Sequence, residues 1–308
     1  MLSRIGLGLA ALGRPAYINL GRTSALPESR DVEALRAATH EVLDAAYAAG
    51  LRWVDVARSY GLAEDFLAGW LGTHPDVTVS SKWGYAYVGE WRMDAEVHEA
   101  KEHSLNRFRA QWGESRALLG DALALYQVHS LTSDSPLFTD KPLLEALASL
   151  GAEGIRVGFS TSGAAQADTV RRALALEIAG APVFTAVQST WNLLEQSAGE
   201  ALAEAHAHGN LVLVKETLAN GRLVVEPPDV VRELAATHGV GPDAVAVAAV
   251  LAQPWASRVL VGPSGVEQLA ANLRAAEIRL DETELAALQG ISEPATRYWA
   301  RRSSLSWQ

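Results

Sequence analysis

The feature that most restricts the fold of this chain is a regular alternation of β-like and helical segments. Eight short apolar runs are each followed by residues with helical periodicity. This pattern predicts parallel strands joined by helices, and 308 residues is a length typical of a (β/α)8 barrel. The predicted strands cover residues 5–9, 51–56, 77–81, 122–128, 155–159, 183–187, 211–214 and 258–261.

Polar residues at the ends of these runs favour a closed barrel over an open, doubly wound sheet. In a barrel the carboxyl ends converge on one mouth, whereas an open sheet requires a dinucleotide fingerprint after its first strand. Gly6, Gly8 and Ala11 match G-x-G-x-x-A, but Gly13 and Pro15 follow where a helix should already run. We therefore predict a single (β/α)8 TIM barrel over residues 1–308, with its active site at the C-terminal mouth. The polar strand-end residues are Asp55, Lys82, His129, Ser160, Gln188, Lys215 and Ser264.

Capping residues and periodicity predict the helices. Asp31 is a suitable N-cap for a helix that ends at Gly50, and Asp94 for a helix that reaches about Trp112. Further helices are predicted from Ala63, over residues 141–150, 164–180 and 195–208, in two segments before residue 258, and from Val266 as the last helix.

Composition and charge restrict the partners. A formal net charge of −10 argues against nucleic acid or an anionic membrane surface as the main partner. No apolar run reaches the roughly 18 residues of a membrane span, and the absence of cysteine excludes disulfides. Residues 5–12 resemble a short secretory segment, but their glycines fit a strand and turn better. We predict a cytoplasmic protein without a metal site that acts on a small molecule.

The stretch from Trp53 to Lys82 carries the clearest chemical signal. Asp55 lies in one predicted strand, Tyr60 follows in a polar turn, and Lys82 ends the next strand. If neighbouring parallel strands carry the two runs, these three side chains gather at one edge. A buried structural ion pair is the alternative interpretation of Asp55 and Lys82.

These residues resemble the aldo-keto reductase family, and the resemblance spans nearly the whole chain. The family pattern of Asp, four residues, Tyr and Gly is matched by Asp55, Tyr60 and Gly61, and Lys82 closes the next strand as the family's lysine does. Residues 125–129, which end in His129, resemble the strand that delivers the family's histidine. The resemblance implies an enzyme that reduces an aldehyde or ketone with hydride from NAD(P)H.

The chemistry of these four residues follows from their types. Tyrosine is too weak an acid at its free pKa of about 10 to protonate an alkoxide readily. Lys82 at about 4 Å would favour the phenolate, and Asp55 would keep Lys82 charged. His129 would hydrogen-bond the carbonyl oxygen or the phenol, although a histidine after a strand can equally be a capping residue. We predict Asp55, Tyr60, Lys82 and His129 as catalytic.

The resemblance also implies a nicotinamide dinucleotide site, with NADPH slightly favoured over NADH. Ser160 and Gln188 would hold the nicotinamide amide, and the turn at Gly262 with the helix after it would hold phosphate. The predicted cofactor-binding residues are Ser160, Thr161, Gln188, Trp191, Lys215, Glu216, Leu218, Asn220, Gly262, Pro263, Ser264, Gln268 and Asn272.

Three features depart from the family pattern. Lys215 and Glu216 occupy the end of the seventh strand, where family members usually have an aromatic residue whose ring stacks on nicotinamide. Trp191 replaces the family's usual tyrosine. Gln268 stands in a turn where members that prefer NADPH often have a basic residue. Two rival functions therefore stay open: a redox-neutral enzyme that forms a Schiff base on Lys215, and a non-catalytic nucleotide-binding member of the family.

Aromatic residues crowd the segments predicted to cover the mouth. Trp83, Trp91 and Trp299 are predicted to contact a small carbonyl substrate that is apolar or carries a ring. Rings that only cover the barrel rim are the alternative interpretation.

Overall fold

The computed structural model describes residues 1–21 and 25–307, and their eight parallel strands close into a barrel. Each strand pairs with the next one along the chain, and the last pairs with the first, which confirms the predicted (β/α)8 fold. Each of the eight predicted runs becomes a barrel strand. The strands are β1 Ile5–Gly8, β2 Trp53–Asp55, β3 Thr78–Trp83, β4 Leu123–Leu131, β5 Arg156–Thr161, β6 Ala186–Thr190, β7 Leu211–Lys215 and β8 Arg258–Val261.

Helices surround the barrel and cover part of its mouth. They are α1 Val32–Ala48, α2 Ala63–Leu71, α3 Leu105–Leu119, α4 Lys141–Ala152, α5 Gln166–Leu174, α6 Gly199–Ala207, α7 Arg222–Val225, α8 Asp229–His238, α9 Pro242–Leu251, α10 Val266–Leu273, α11 Glu282–Gln289 and α12 Ala295–Ser303. Short 3₁₀ helices span Leu2–Arg4, Gly120–Ala122, Pro136–Thr139, Ala219–Gly221 and Arg274–Ala276. The predicted cap is confirmed at α1, where Asp31 accepts a hydrogen bond from the N–H of Ala34. In the described ranges, no single helix is long and apolar enough to cross a membrane. Helices α8 and α9 together have the required length and composition, but the two are bent by 92° relative to each other.

The predicted helix from Asp94 to Trp112 is wrong in its first half. Strand pairing takes precedence there, because Tyr85–Tyr87 and Glu99–Lys101 form an antiparallel ribbon beside the mouth. Helix α3 starts only at Leu105, and Ser104 supplies its cap by accepting from the N–H of Arg107.

Three other helix boundaries also differ from the prediction. Helix α5 ends at Leu174, because Glu177–Ile178 and Ala181–Pro182 pair as a small ribbon. Helix α6 begins at Gly199, since Glu195 closes a turn by backbone hydrogen bonds with Asn192. The helix from Val266 is followed by α11 and α12, so it is not the last one.

The barrel interior changes from apolar to polar towards its C-terminal mouth. Leu125, Ala186, Leu213 and Leu260 form a small apolar cluster inside the barrel, with Trp53 packed against it. Side chains along a strand alternate between its two faces, so the residue two positions further on faces inward again. That position is Asp55 after Trp53, Gln127 after Leu125 and Gln188 after Ala186. The strand period thus places polar groups directly above an apolar floor.

The loop after β1 packs tightly on the turn that carries Tyr60. The N–H of Leu62 donates to the carbonyl of Gly13 at 2.8 Å. A Cβ atom at Gly13 would lie 2.2 Å from the carbonyl oxygen of Tyr60, and one at Gly61 would lie 2.4 Å from the carbonyl oxygen of Gly13. Gly61 also has a φ of +63°. Glycine at both positions therefore permits this close approach.

We expect Gly13→Ala to lower the free energy of unfolding by about 1–3 kcal/mol, because its Cβ would overlap backbone atoms. Gly113→Ala is the matched control, since Gly113 lies in α3 and a Cβ atom added there would meet no neighbouring atom within 4 Å. A helical Gly→Ala change of this kind should stabilise the protein by roughly 0.5–1 kcal/mol. Urea unfolding of both variants measures the difference, and a Gly13→Ala protein as stable as the wild type would contradict the close contact.

Candidate active site

Asp55, Tyr60 and Lys82 meet at the barrel mouth, in the arrangement that the sequence predicted. Lys82 Nζ forms an ion pair with Asp55 Oδ1. The same ammonium donates to the Tyr60 hydroxyl at 3.3 Å and to the carbonyl of Val56 at 3.0 Å. Lys82 and Asp55 are both buried, so water screens their charges little.

The second carboxylate oxygen of Asp55 accepts three further hydrogen bonds. Ser80 Oγ donates at 2.7 Å, Gln188 Nε2 at 2.9 Å and Gln127 Nε2 at 3.4 Å. A buried ion pair is tolerated only when its remaining hydrogen-bonding capacity is filled in this way. Gln188 is therefore tied to Asp55 through its amide nitrogen, and its amide oxygen is left for other contacts.

His129 lies beside Tyr60 on β4. The two rings are 5.5 Å apart in an edge-on arrangement, and His129 Nδ1 hydrogen-bonds Ser59 Oγ at 3.2 Å. Burial lowers the pKa of His129 well below its usual value, and the charges of Lys82 and Lys215 act in the same direction. The imidazole is therefore neutral at physiological pH and can donate one hydrogen bond.

Tyr60 remains protonated at neutral pH. Burial raises the pKa of its phenol well above 10, Asp55 and Glu99 raise it further, and Arg14 opposes them. The net direction is opposite to the lowering that Lys82 alone would produce, because desolvation of the phenolate dominates. The phenol therefore carries the proton that a general acid needs, although burial makes it a weaker acid than free tyrosine.

A cavity of about 840 Å³ opens beside these residues. Its volume lies in the range of cofactor and small-molecule sites. The predicted residues on its wall are Asp55, Tyr60, His129, Gln188, Lys215, Glu216, Leu218, Asn220, Gly262, Pro263, Gln268 and Asn272.

Four predicted cofactor-binding residues lie behind this wall. Ser160 Oγ accepts from the N–H of Ser130, which does line the cavity, at 2.8 Å. Thr161 hydrogen-bonds the Ser189 hydroxyl at 2.7 Å. Trp191 packs edge-on against Trp255 with ring centroids 5.7 Å apart. The fourth, Ser264, is fully buried at the turn after β8.

The three tryptophans predicted to contact substrate also lie outside the cavity wall. Trp83 is fully buried against Phe108. Trp91 donates its indole N–H to the carbonyl of Arg30 at 2.7 Å. Trp299 lies under the guanidinium of Arg302. Their substrate contacts stay predictions, and the wall itself carries different rings, namely Tyr17, Tyr85 and Trp307.

Lys215, Glu216 and Arg302 form a charged cluster on the wall at the end of β7. Glu216 accepts from Arg302 Nη2 at 2.6 Å and lies 3.5 Å from Lys215 Nζ, which donates to Thr190 Oγ1 at 2.8 Å. Burial lowers the pKa of Lys215 to about 8, and Glu216 partly opposes this shift. Burial alone would raise the pKa of Glu216, but Arg302 and Lys215 outweigh it and lower that pKa to about 2.

The far end of the cavity carries polar groups suited to a nucleotide. Two wall atoms among the described residues, Asn220 Oδ1 and Asn272 Oδ1, are buried without a hydrogen-bond partner. Asn272 Nδ2 donates to Asp243 Oδ2 at 2.8 Å. Buried polar atoms of this kind are rare and call for a partner. The lining here therefore fits the polar edges of a bound nucleotide.

Sequence reasoning missed Arg14, Tyr17 and Glu99 as wall residues. Arg14 is buried and pairs with Glu99 at 2.7 Å. Its position in the loop after the first strand was a usable signal for Arg14, since the loops after barrel strands surround the mouth. Glu99 had no such signal, because it lies in the ribbon that was predicted to be helical.

This chain is similar to known proteins along most of its length. The profile described as the Aldo/keto reductase family matches residues 4–293. Aldo-keto reductase str7 of Strobilurus tenacellus is 25% identical, over 95% of this chain and 90% of its own. Protein tas of Escherichia coli strain K12 is 22% identical, over 83% and 90%. The holo form of the aldo-keto reductase AKR11C1 from Bacillus halodurans has a TM-score of 0.67 at 21% identity, over 95% and 93%.

We expect one of the four lysines to titrate near pH 8. With ¹³Cε-labelled lysine, the NMR signal of Lys215 is assigned as the one that is missing in Lys215→Met. In the wild type this signal should titrate with a midpoint at about pH 8, because burial disfavours the ammonium. Lys141→Met is the control, since Lys141 is exposed and pairs with Glu145 at 3.7 Å. A Lys215 midpoint at or above 10 would show that its ammonium is well solvated.

Proposed function

Because this chain belongs to the aldo-keto reductase family, we propose that it is an NAD(P)H-dependent oxidoreductase that reduces the carbonyl of a small aldehyde or ketone. The observation that carries the proposal is the contact of Lys82 Nζ with both Asp55 and Tyr60 beside a cavity of suitable size. Titration of the protein with NADPH and NADH, followed by tryptophan fluorescence, and turnover on a panel of carbonyl compounds test it directly.

Tyr60 acts as the general acid in this proposal. Its phenol donates a proton to the carbonyl oxygen, and Lys82 at 3.3 Å stabilises the phenolate that remains. Asp55 holds Lys82 charged and in place. Neutral His129 donates a hydrogen bond to the same substrate oxygen and orients it. A reduced nicotinamide bound in the cavity would supply the hydride.

The cofactor-binding role is assigned to residues on the cavity wall and at the turn after β8. Gln188 would contact the nicotinamide amide, while Asn220 and Asn272 offer unpartnered oxygens to the nucleotide. Lys215 would contribute phosphate affinity, and its stem would cover part of the ring where the family usually has an aromatic residue. Ser160, Thr161, Trp191 and Ser264 would act from behind the wall by supporting it.

We propose weak discrimination between NADPH and NADH. Asp243 and Glu267 lie on the wall together with Asn272, and their carboxylates would repel a 2′-phosphate. Arg274 donates to the carbonyl of Gly239 and pairs with Glu277, so it does not contribute to the wall. Lys215 would attract the phosphates that both nucleotides share, so its charge does not distinguish them.

The substrate proposed here is a small carbonyl compound that carries a ring. Tyr17, Tyr85 and Trp307 on the wall support a ring-bearing molecule. A cytoplasmic location is also part of the proposal, because the stretch that resembles an export segment contributes β1 to the barrel.

A Schiff-base reaction on Lys215 is the second candidate function. The observation that favours it is the pKa of about 8 at a buried lysine on the cavity wall, since a neutral amine is nucleophilic. Borohydride added with a carbonyl substrate would trap a covalent adduct in that case and none with a reductase. A third possibility, a non-catalytic nucleotide-binding protein, would require tight nucleotide binding without turnover of any carbonyl compound.

We expect Tyr60→Phe to lower kcat at least 10²-fold and to leave nucleotide affinity nearly unchanged, because only the transferred proton is lost. Lys82→Met should be as damaging to kcat, and it should also destabilise the fold by leaving Asp55 unpaired. The double variant Asp55→Asn with Lys82→Met separates these effects: stability should recover and turnover should not. Near-wild-type kcat in Tyr60→Phe would refute its role as proton donor.

Lys215→Met should weaken both NADPH and NADH binding by about 1–3 kcal/mol and reduce the salt dependence of both dissociation constants. The reason is the loss of one ammonium that contacts phosphate. Lys141→Met, which removes the same charge elsewhere, should leave both constants unchanged. Unaltered constants in Lys215→Met, together with a 100-fold preference of the wild type for NADPH, would contradict this account of the nucleotide site.

A further inference from the structure

Arg14 is a buried arginine beside the proposed general acid. It follows Gly13 in the loop after β1 and is 1% exposed. Its Nη1 donates to the carbonyl of Ser59 at 2.9 Å and to Glu99 Oε1 at 2.7 Å. A buried guanidinium is tolerated only with a paired carboxylate and further acceptors. Glu99, which lies in the antiparallel ribbon, therefore allows the Arg14 guanidinium to be buried beside Ser59 and Tyr60.

Aromatic rings surround the guanidinium. Its Cζ lies 5.3 Å from the ring centroid of Tyr60, 5.1 Å from that of Tyr17 and 4.8 Å from that of Trp307. Trp307 in turn stacks on His98 with ring centroids 4.2 Å apart. Cation–π contacts are attractive at these distances. Together with the two hydrogen bonds, they hold the guanidinium in one place against the Tyr60 ring.

The contact with Ser59 connects Arg14 to two catalytic residues at once. Ser59 immediately precedes Tyr60, and its hydroxyl hydrogen-bonds His129 Nδ1 at 3.2 Å. The carbonyl that accepts from Arg14 therefore belongs to the residue that orients the imidazole. Movement of this carbonyl would change the position of both Tyr60 and His129.

We propose that Arg14 is a positioning residue, which holds the Ser59–Tyr60 turn and stabilises the negative charge that Tyr60 carries after proton donation. Only the second part of this role, the stabilisation of negative charge on Tyr60, rests on the proposed function. Lys82 stabilises that charge at the hydroxyl end of Tyr60, whereas Arg14 acts on the ring. The other groups that face Tyr60 are Asp55, Glu99, Tyr17, His129 and Glu216.

The test compares Arg14→Met and Arg14→Lys with Arg4→Met. Arg4 likewise donates to backbone carbonyls, those of Leu251, Gln253 and Ala256, and so it controls for lost stability. The first measurement is ¹⁵N NMR of histidine-labelled protein without nucleotide, with His129 assigned by His129→Asn. Arg14→Met should shift the Nδ1 signal of His129 and raise the pH at which His129 protonates, while Arg4→Met should do neither.

The second measurement is the pH profile of kcat/KM for alcohol oxidation, the direction that requires Tyr60 without its proton. In Arg14→Met, kcat should fall 10- to 100-fold, and the rise of activity should move to higher pH by about 0.5–1 unit. KM should change less than threefold. Arg14→Lys keeps the charge but not both hydrogen bonds, so its pH profile should lie closer to the wild type.

The outcomes separate this inference from the proposed function. A protein without carbonyl turnover that still shows the His129 changes would overturn the function and retain the positioning role. A His129 signal and a pH profile that stay unchanged in Arg14→Met, or in Arg14→Lys if the first variant does not fold, would overturn the role of Arg14. Lost stability alone, as expected for Arg4→Met, would also overturn it.

Discussion

The buried ion pair of Asp55 and Lys82 is the interaction on which the rest of this site depends. Two charges are tolerated inside a barrel only if nearly all of their hydrogen-bonding capacity is filled. Ser80, Gln127 and Gln188 fill it for the carboxylate, and these residues come from three different strands. The ion pair is therefore stable only when the barrel closes in the correct strand register, because an error in register would leave the carboxylate without its donors.

The local sequence pattern was sufficient to predict the strands and the meeting of Asp55, Tyr60 and Lys82 at the mouth, since strand ends in a barrel necessarily converge. It failed where tertiary pairing decided the structure. Asp94 looks like a cap, yet the surrounding chain forms a ribbon because Glu99 can pair with Arg14, 85 positions earlier. The buried positions of Trp83 and Trp191 were equally out of reach, because a sequence shows that a ring lies near a strand end but not which way it faces.

Charge takes the place of an aromatic ring at the end of β7. Lys215, Glu216 and Arg302 balance one another within hydrogen-bonding or ion-pairing distance, and Arg302 brings α12 against the mouth. An aromatic ring would offer dispersion and a flat surface, whereas this cluster offers a cation whose protonation changes near pH 8. If these positions bind a nucleotide as proposed, binding should depend on salt and pH differently than it would with an aromatic ring.

The apolar floor of the barrel, formed by Leu125, Ala186, Leu213 and Leu260, determines how protons reach the site. A packed apolar layer disfavours water molecules, so it would oppose a proton path along the barrel axis to Tyr60. In the proposed reaction, the phenolate would therefore regain its proton from the mouth side, through the space that substrate and product would also use. Reprotonation and product departure therefore share one route, and a bulky product would delay both.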